Sequence, residues 1–296
     1  MRKEYVLMIL AAFVWGSGHP IGKIILRELT PQQLSFLSST LGACALSAWL
    51  ALTHRTGRLS EIRGKVLVLA LTSGAIMFFV YPNLSFSALR LIPASANAIL
   101  VASSTIFVAV LAAALLKEKL NAPAYLGVLV SFFGIALVVI STESGGLNLT
   151  GLSALGSSIA LLGAFASACY AILGRRLRGY DALCVTVLGA SFGSILQAGV
   201  LLGTSGFNQM LHASTITYLL VAYWGIFSGL GYLVYYYCLG RIEATKVSSF
   251  IYLSPLFATI LSIAILSEQL TTVFLGGLAF TLGGIWFTQM SRTRER

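Results

Sequence analysis

Residues 88–138 read ALRLIPASANAILVASSTIFVAVLAAALLKEKLNAPAYLGVLVSFFGIALV, and residues 238–288 read CLGRIEATKVSSFIYLSPLFATILSIAILSEQLTTVFLGGLAFTLGGIWFT. Set one above the other at a constant offset of 150, they match without gaps at Leu89/Leu239, Ile92/Ile242, Ala94/Ala244, Phe107/Phe257, Glu118/Glu268, Gly127/Gly277 and Gly134/Gly284. Apolar composition inflates chance matches of leucine, but a shared glutamate and two glycines seven residues apart are not explained that way. The chain is therefore read as an internal repeat, residues 1–146 followed by 147–296.

The composition says what solvent the repeat lives in. Of 296 residues 57% are hydrophobic and only 9% are charged, against about 25% charged in soluble domains, so no water-facing shell can be assembled. A helix needs about 20 apolar residues to cross a hydrocarbon core of about 30 Å. Windows of that length predict ten spans, near 5–26, 32–53, 66–88, 93–116, 122–141, 152–173, 182–203, 213–239, 244–266 and 271–290. The expected fold is an all-α membrane protein of ten transmembrane helices, with no room for a separate soluble domain. The apolar stretch after Met1-Arg2-Lys3-Glu4 continues to Leu26, too long for a cleavable leader, and is read as a retained first span.

Charge tests the division. With the N-terminus inside, the inner loops hold Arg2, Lys3, Arg55, Arg58, Arg63, Lys65, Lys117, Lys119, Arg175, Arg176, Arg178, Arg241, Lys246, Arg292, Arg294 and Arg296, and only Lys23, Arg27 and Arg90 fall outside. That asymmetry matches the positive-inside rule and predicts both termini in the cytoplasm. It also accounts for the net charge of +10 without nucleic acid, which would need a coherent basic face on a folded domain. Five spans per half is an odd number, so the second copy enters the membrane inverted. Inverted repeats are a hallmark of alternating-access carriers, with the substrate held between the halves.

Several segments carry a resemblance: Trp15-Gly16-Ser17 with Pro20 and Lys23 in the first span, ALRLIPASANAIL between the third and fourth, LKEKL ending the fourth, and CLGRIEATKVSSFIYLSPLFA and LSEQL in the second half. Over nearly its whole length the chain resembles the drug/metabolite transporter superfamily, in its ten-helix branch of paired EamA-type repeats. It departs at Ser167-Ala168-Cys169-Tyr170, which lacks a tryptophan frequent there. The resemblance implies a basket-like bundle in a bacterial inner membrane. Its cavity would be lined mainly by the first, third, fourth, sixth, eighth and ninth spans, with the fifth and tenth peripheral, and it would export small metabolites, amino acids among them.

The residues themselves supply candidates. His19 titrates near neutrality and sits one turn beyond Trp15 on the same face; a pocket donor and a histidine satisfied by a neighbouring carbonyl both fit. Lys23, one turn further, either snorkels to the interface or meets a substrate carboxylate. Trp15, Tyr81, Tyr170, Trp224, Tyr232 and Tyr252 offer large apolar faces with polar tips, as pocket or packing residues, whereas Tyr235, Tyr236 and Tyr237 read as an interfacial belt. Pro82 is expected to kink the third span and free a carbonyl near Phe78, and Ser254-Pro255 marks a second break. Asn97 and Ser103-Ser104-Thr105 add donors, or polar contacts between helices. Glu118 and Glu268, equivalent in the repeat, fit helix-end pairing or gating of the two mouths. Gly189/Gly193, Gly199/Gly203 and Gly225/Gly229 read as packing pairs, and the four cysteines as small buried space-fillers.

No acidic residue lies at mid-span, so a central carboxylate relay is absent and the expectation is uniport or substrate-driven exchange. HExxH, GxSxG and paired membrane aspartates are missing, which speaks against an intramembrane enzyme, and no cofactor or metal is expected. Phosphorylated substrates would require several intramembrane cations. The expected partners are the bilayer and a small neutral or zwitterionic metabolite, with hydrophobic cations as the alternative; a channel and the oligomeric state stay open.

Overall fold

The computed structural model describes residues 3–116, 122–141, 151–177, 179–203, 206–239, 250–251 and 253–293. The extended elements among them are all helical, as a chain must be that satisfies its backbone polar groups without water. Helices α1 (Lys3–Ile25) and α2 (Pro31–Leu52) are followed by a 3₁₀ turn (Thr56–Glu61). Next come α3 (Lys65–Ala75), a π turn (Ile76–Val80) and α4 (Tyr81–Leu91), which together form one rod. The following rod is α5 (Ala94–Ala102) and α6 (Ser104–Leu116), broken at Ser103. Then come α7 (Ala122–Ser141), α8 (Leu152–Arg176), α9 (Ala182–Gly203), the short α10 (Gly206–Met210), α11 (Thr215–Leu239), α12 (Leu253–Leu266) and α13 (Thr272–Thr293).

Among the described residues six helical stretches are long and apolar enough to cross a membrane, and shorter apolar helices accompany them. Leu52 and Leu202 are each 74% exposed, and the apolar outer surface continues around the bundle, far beyond what a water-soluble monomer carries.

Local chemistry sets the breaks. At α2, Thr30 Oγ1 accepts from Gln33 N at 3.3 Å while Gln33 Oε1 accepts from Thr30 N at 2.8 Å, a capping box with Pro31 at the first helical position. In the third rod, Tyr81 N reaches back to Ile76 O across the π turn. Pro82 has no N–H for the Phe78 carbonyl, which accepts instead from Ser39 Oγ of α2 at 3.0 Å. Asn83 Nδ2 donates to Phe79 O at 2.7 Å and to Gln197 Oε1 of α9 at 3.0 Å. Neighbouring helices thus satisfy the carbonyls that the kink frees.

The packing repeats itself. Helices α7 and α13 lie against each other with Gly134 on Gly277 and Thr281, and Gly284 on Gly127 and Ser131; Ser131 Oγ donates to Gly127 O at 2.9 Å and to Thr281 O at 3.3 Å. The pairing of 127 with 284 and 134 with 277 is antiparallel, and exchanging each residue for its counterpart 150 positions away returns the same pairs. Likewise α1 packs on α11 and α12 while α8 packs on α4, α5 and α6, and α2 packs on α9 and α11 while α9 packs on α2 and α3.

Contacts mark two ends. At one, Cys238 Sγ lies 3.6 Å from Glu4 O, Tyr5 stacks on Phe250 at 5.4 Å, and Arg55 and Arg58 reach Asp181 at 3.4 and 3.3 Å. At the other, α1 finishes and Glu268 meets the start of α5. Since α13 starts four residues after Glu268 and its 22 residues extend about 33 Å, the first and last helices have their outer termini at the same end.

Two expectations are corrected. Gly199 and Gly203 face open space instead of a neighbouring helix, whereas Gly189 meets Gly74, Gly193 meets Phe78, and Gly225 and Gly229 meet α2. Among the cysteines Cys184 and Cys238 are buried, but Cys44 is exposed and Cys169 is only partly covered, because the outward face of a membrane helix tolerates a small thiol as readily as the core does.

Candidate functional site

A cavity of about 400 Å³ lies between the helices, within the roughly 300–1,000 Å³ range of small-molecule sites. One wall is aromatic. Trp15 packs on Tyr232 and Tyr235 with ring centroids 5.5 and 6.3 Å apart, and its Nε1 donates to Ser228 O at 3.4 Å, which fixes the indole plane. Trp224 lies across Gly18 so closely that an added Cβ would overlap its ring.

A polar corner faces that wall. Asn97 Nδ2 donates to His19 Nδ1 at 3.1 Å and to Ser85 Oγ at 3.4 Å. With the Asn97 NH₂ as the donor, His19 Nδ1 accepts, which is the tautomer that carries the ring proton on Nε2. Ser104 and Thr105, at the start of α6, add hydroxyls. Among the described residues no Asp, Glu, Lys or Arg lines the chamber.

The lining follows the repeat. Phe78 and Ser228, Ser85 and Tyr235, and Ser104 and Ser254 each stand 150 residues apart and face the same space. The two halves differ at one place: α2 contributes Ser38, Ser39, Gly42, Ala43 and Leu46, while α9 contributes nothing to the wall. Beyond Phe86 and Trp224 the chamber stops at an apolar cluster of Ile25, Leu34, Leu89 and Val221, at the end opposite the termini.

Trp15, His19, Tyr81, Ser104, Tyr170, Trp224 and Tyr232, scattered over 218 residues of sequence, are brought to this one cavity. Asn97 is fully buried behind the wall and acts on it through His19 and Ser85. Tyr252 and Glu118 lie outside the described residues. Lys23 neither snorkels nor enters the chamber: its Nζ donates to Leu89 O and Ile92 O, both at 2.7 Å. The two orphan carbonyls at the end of α4 attract the cation away from both alternatives. Glu268 also stands outside the wall, accepting from Ala94 N at 2.6 Å and from Ser95 N and Oγ at 3.2 and 2.6 Å. Tyr235 belongs to the aromatic wall, not to an interfacial belt, because the turn it occupies faces Trp15. Sequence reasoning missed α2 altogether. Its signal was a stripe of small polar residues, Ser35, Ser38, Ser39 and Gly42, at helical spacing.

Outside the spans, Glu28 holds the start of α11 as Glu268 holds the start of α5. It accepts from Ser214 N at 2.6 Å and Ser214 Oγ at 2.9 Å, and these bonds hold its carboxyl below the ordinary range, the backbone N–H first.

The model of the EamA-like transporter family matches residues 2–140 and again 154–290. The chain belongs to the EamA-like transporter family. Each match covers one copy of the repeat, and the transporter thereby joins the drug/metabolite transporter superfamily that its motifs resemble. It is 28% identical to an uncharacterized transporter of Archaeoglobus fulgidus over 97% of both chains. It is 24% identical to the uncharacterized transporter YdfC of Bacillus subtilis over 98% of this chain and 93% of that one. A solved crystal structure superimposes with a TM-score of 0.67 over 99% of each chain at 18% identity, a likeness of fold. The family and these relatives are transporters, not enzymes, which supports a non-enzyme role for the EamA-like protein.

Proposed function

We propose that this EamA-like transporter exports small neutral or zwitterionic metabolites, amino acids foremost, from the bacterial cytoplasm by alternating access. In this reading ten crossings form two inverted five-helix repeats, residues 1–146 and 147–296, with both termini cytoplasmic as the basic loops require. The observation that carries it is the cavity wall, which joins an aromatic face to a polar corner and includes no formal charge among the described residues. A phosphate would find no cation there. A zwitterion is matched at both of its ends: the Ser104 and Thr105 hydroxyls in the wall suit a carboxylate, and the faces of Trp15 and Tyr232 suit an ammonium group.

The aromatic cluster of Trp15, Tyr232 and Tyr235 favours a second reading, export of hydrophobic cations. Counterflow in proteoliposomes separates them. Saturable exchange of amino acids that Trp15→Ala and His19→Ala abolish supports the first; exchange confined to organic cations supports the second, and unsaturable flux of either would mark a channel.

A further inference from the structure

Between α4 and α5 the chain breaks in a buried place. Ile92 is extended (φ −123°, ψ 163°), Pro93 follows, and Leu89, Ile92, Ala94 and Ser95 are at most 1% exposed. A helix end leaves four carbonyls unpaired and a helix start leaves four N–H groups unpaired, and burying these without partners is costly. Two side chains from distant parts of the chain supply the partners. Lys23, in the last turn of α1, takes Leu89 O and Ile92 O. Glu268, just past α12, takes Ala94 N, Ser95 N and Ser95 Oγ. Each charge also has the sign that the adjoining helix dipole favours.

Glu268 is aimed by its own backbone. Ser267 is left-handed (φ 55°), and Glu268 N turns back to Ser262 O at 3.3 Å, which reverses the chain at the α12 terminus. A non-glycine residue in that region is uncommon and carries strain, and here it delivers the carboxylate to the break. Lys23 and Glu268 therefore tie α1 and α12 to the same α4–α5 turn, and the apolar plug that ends the cavity includes Leu89 and Ala94 from that turn.

We infer that Lys23 and Glu268 form a two-part clasp on the α4–α5 turn which holds the chamber shut at the end opposite the termini, and that its release is the step that opens this end. The side on which this mouth opens, the exterior, rests on the topology in the proposed function; the clasp itself rests on the contacts alone. Opening must part α1 and α12 from the turn, and with the clasp formed that would strip five hydrogen bonds from charged groups at once. The clasp thus makes the closed state discrete.

The test reads access, not transport, so it survives an error in the substrate. In a background with the four cysteines replaced, Ser85→Cys places a thiol in the chamber beyond which the plug lies. Labelling by a membrane-impermeant maleimide is timed from the exterior face of right-side-out vesicles in parent, Lys23→Met, Glu268→Gln and Lys23→Arg proteins. Lys23→Met and Glu268→Gln are expected to label at least about tenfold faster than the parent, and Lys23→Arg, which still donates to two carbonyls, at the parental rate. Size-exclusion profiles establish folding; should Lys23→Met misfold, Glu268→Gln alone decides. Parental labelling rates in folded Glu268→Gln protein would overturn the clasp. A counterflow failure with accelerated labelling would overturn the substrate reading and leave the clasp standing.

Discussion

Gly18 shows how one residue sets the cavity's shape, since the Trp224 ring occupies the volume a side chain would need. Gly18→Val is expected to destabilise the protein by about 1–3 kcal/mol through overpacking, and Trp224→Ala in the same chain should restore the melting temperature in detergent. Asn97 carries a different load. Its removal in Asn97→Ala leaves His19 Nδ1 and Ser85 without their shared donor, a loss of about 1–3 kcal/mol for buried polar groups, read by thermal unfolding. Glu28 predicts a pH dependence. Its folded pKa is depressed below 4.5 by the bonds from Ser214, so its contribution is present above pH 4.5 and is lost as pH falls through the folded value. Melts between pH 6 and 3 should show Glu28→Gln losing less stability than the parent on acidification, by a small margin because the group is exposed. At this scale the sequence was readable for chemistry and not for direction. Lys23, His19 and Glu268 stood out as ionisable groups near apolar spans, but whether each turned to lipid, chamber or helix end depended on carbonyls and N–H groups 66 to 174 residues away.

The elements were legible where their causes are local. Spans and the break at Pro82 follow from apolar length and a missing N–H. What receives the freed Phe78 carbonyl is not local: Ser39 arrives from α2. Ser39→Ala is expected to cost about 1–3 kcal/mol by orphaning that carbonyl, while Ser39→Thr, which keeps the hydroxyl, should cost less; both are read as melting shifts. The α7–α13 pair makes a sharper case, because Gly134 and Gly284 bring two backbones into contact. Gly134→Leu cannot be seated without separating the helices, and loss of a monodisperse size-exclusion peak is the expected result, whereas Gly199→Leu, facing open space, should behave as the parent.

At the scale of the molecule, a chamber with no carboxylate in its described wall offers no carboxylate relay to couple protons to transport. Counterflow rates should be equal with and without an imposed pH gradient; strict dependence on the gradient would contradict the uncharged wall as the whole of the site. The sequence by itself determined the solvent, the repeat and the family, because these rest on composition, on offset identities and on motifs that survive without coordinates. It left undecided which helices meet. Only the tertiary structure placed α2 and not α9 at the chamber, moved Tyr235 into the aromatic wall and drew Lys23 and Glu268 to one turn. Those outcomes turn on which face of each helix points inward. A chain apolar on nearly every side, in a solvent as apolar as its core, leaves that choice to small-residue contacts and buried polar pairs, which exist only once the helices have come together.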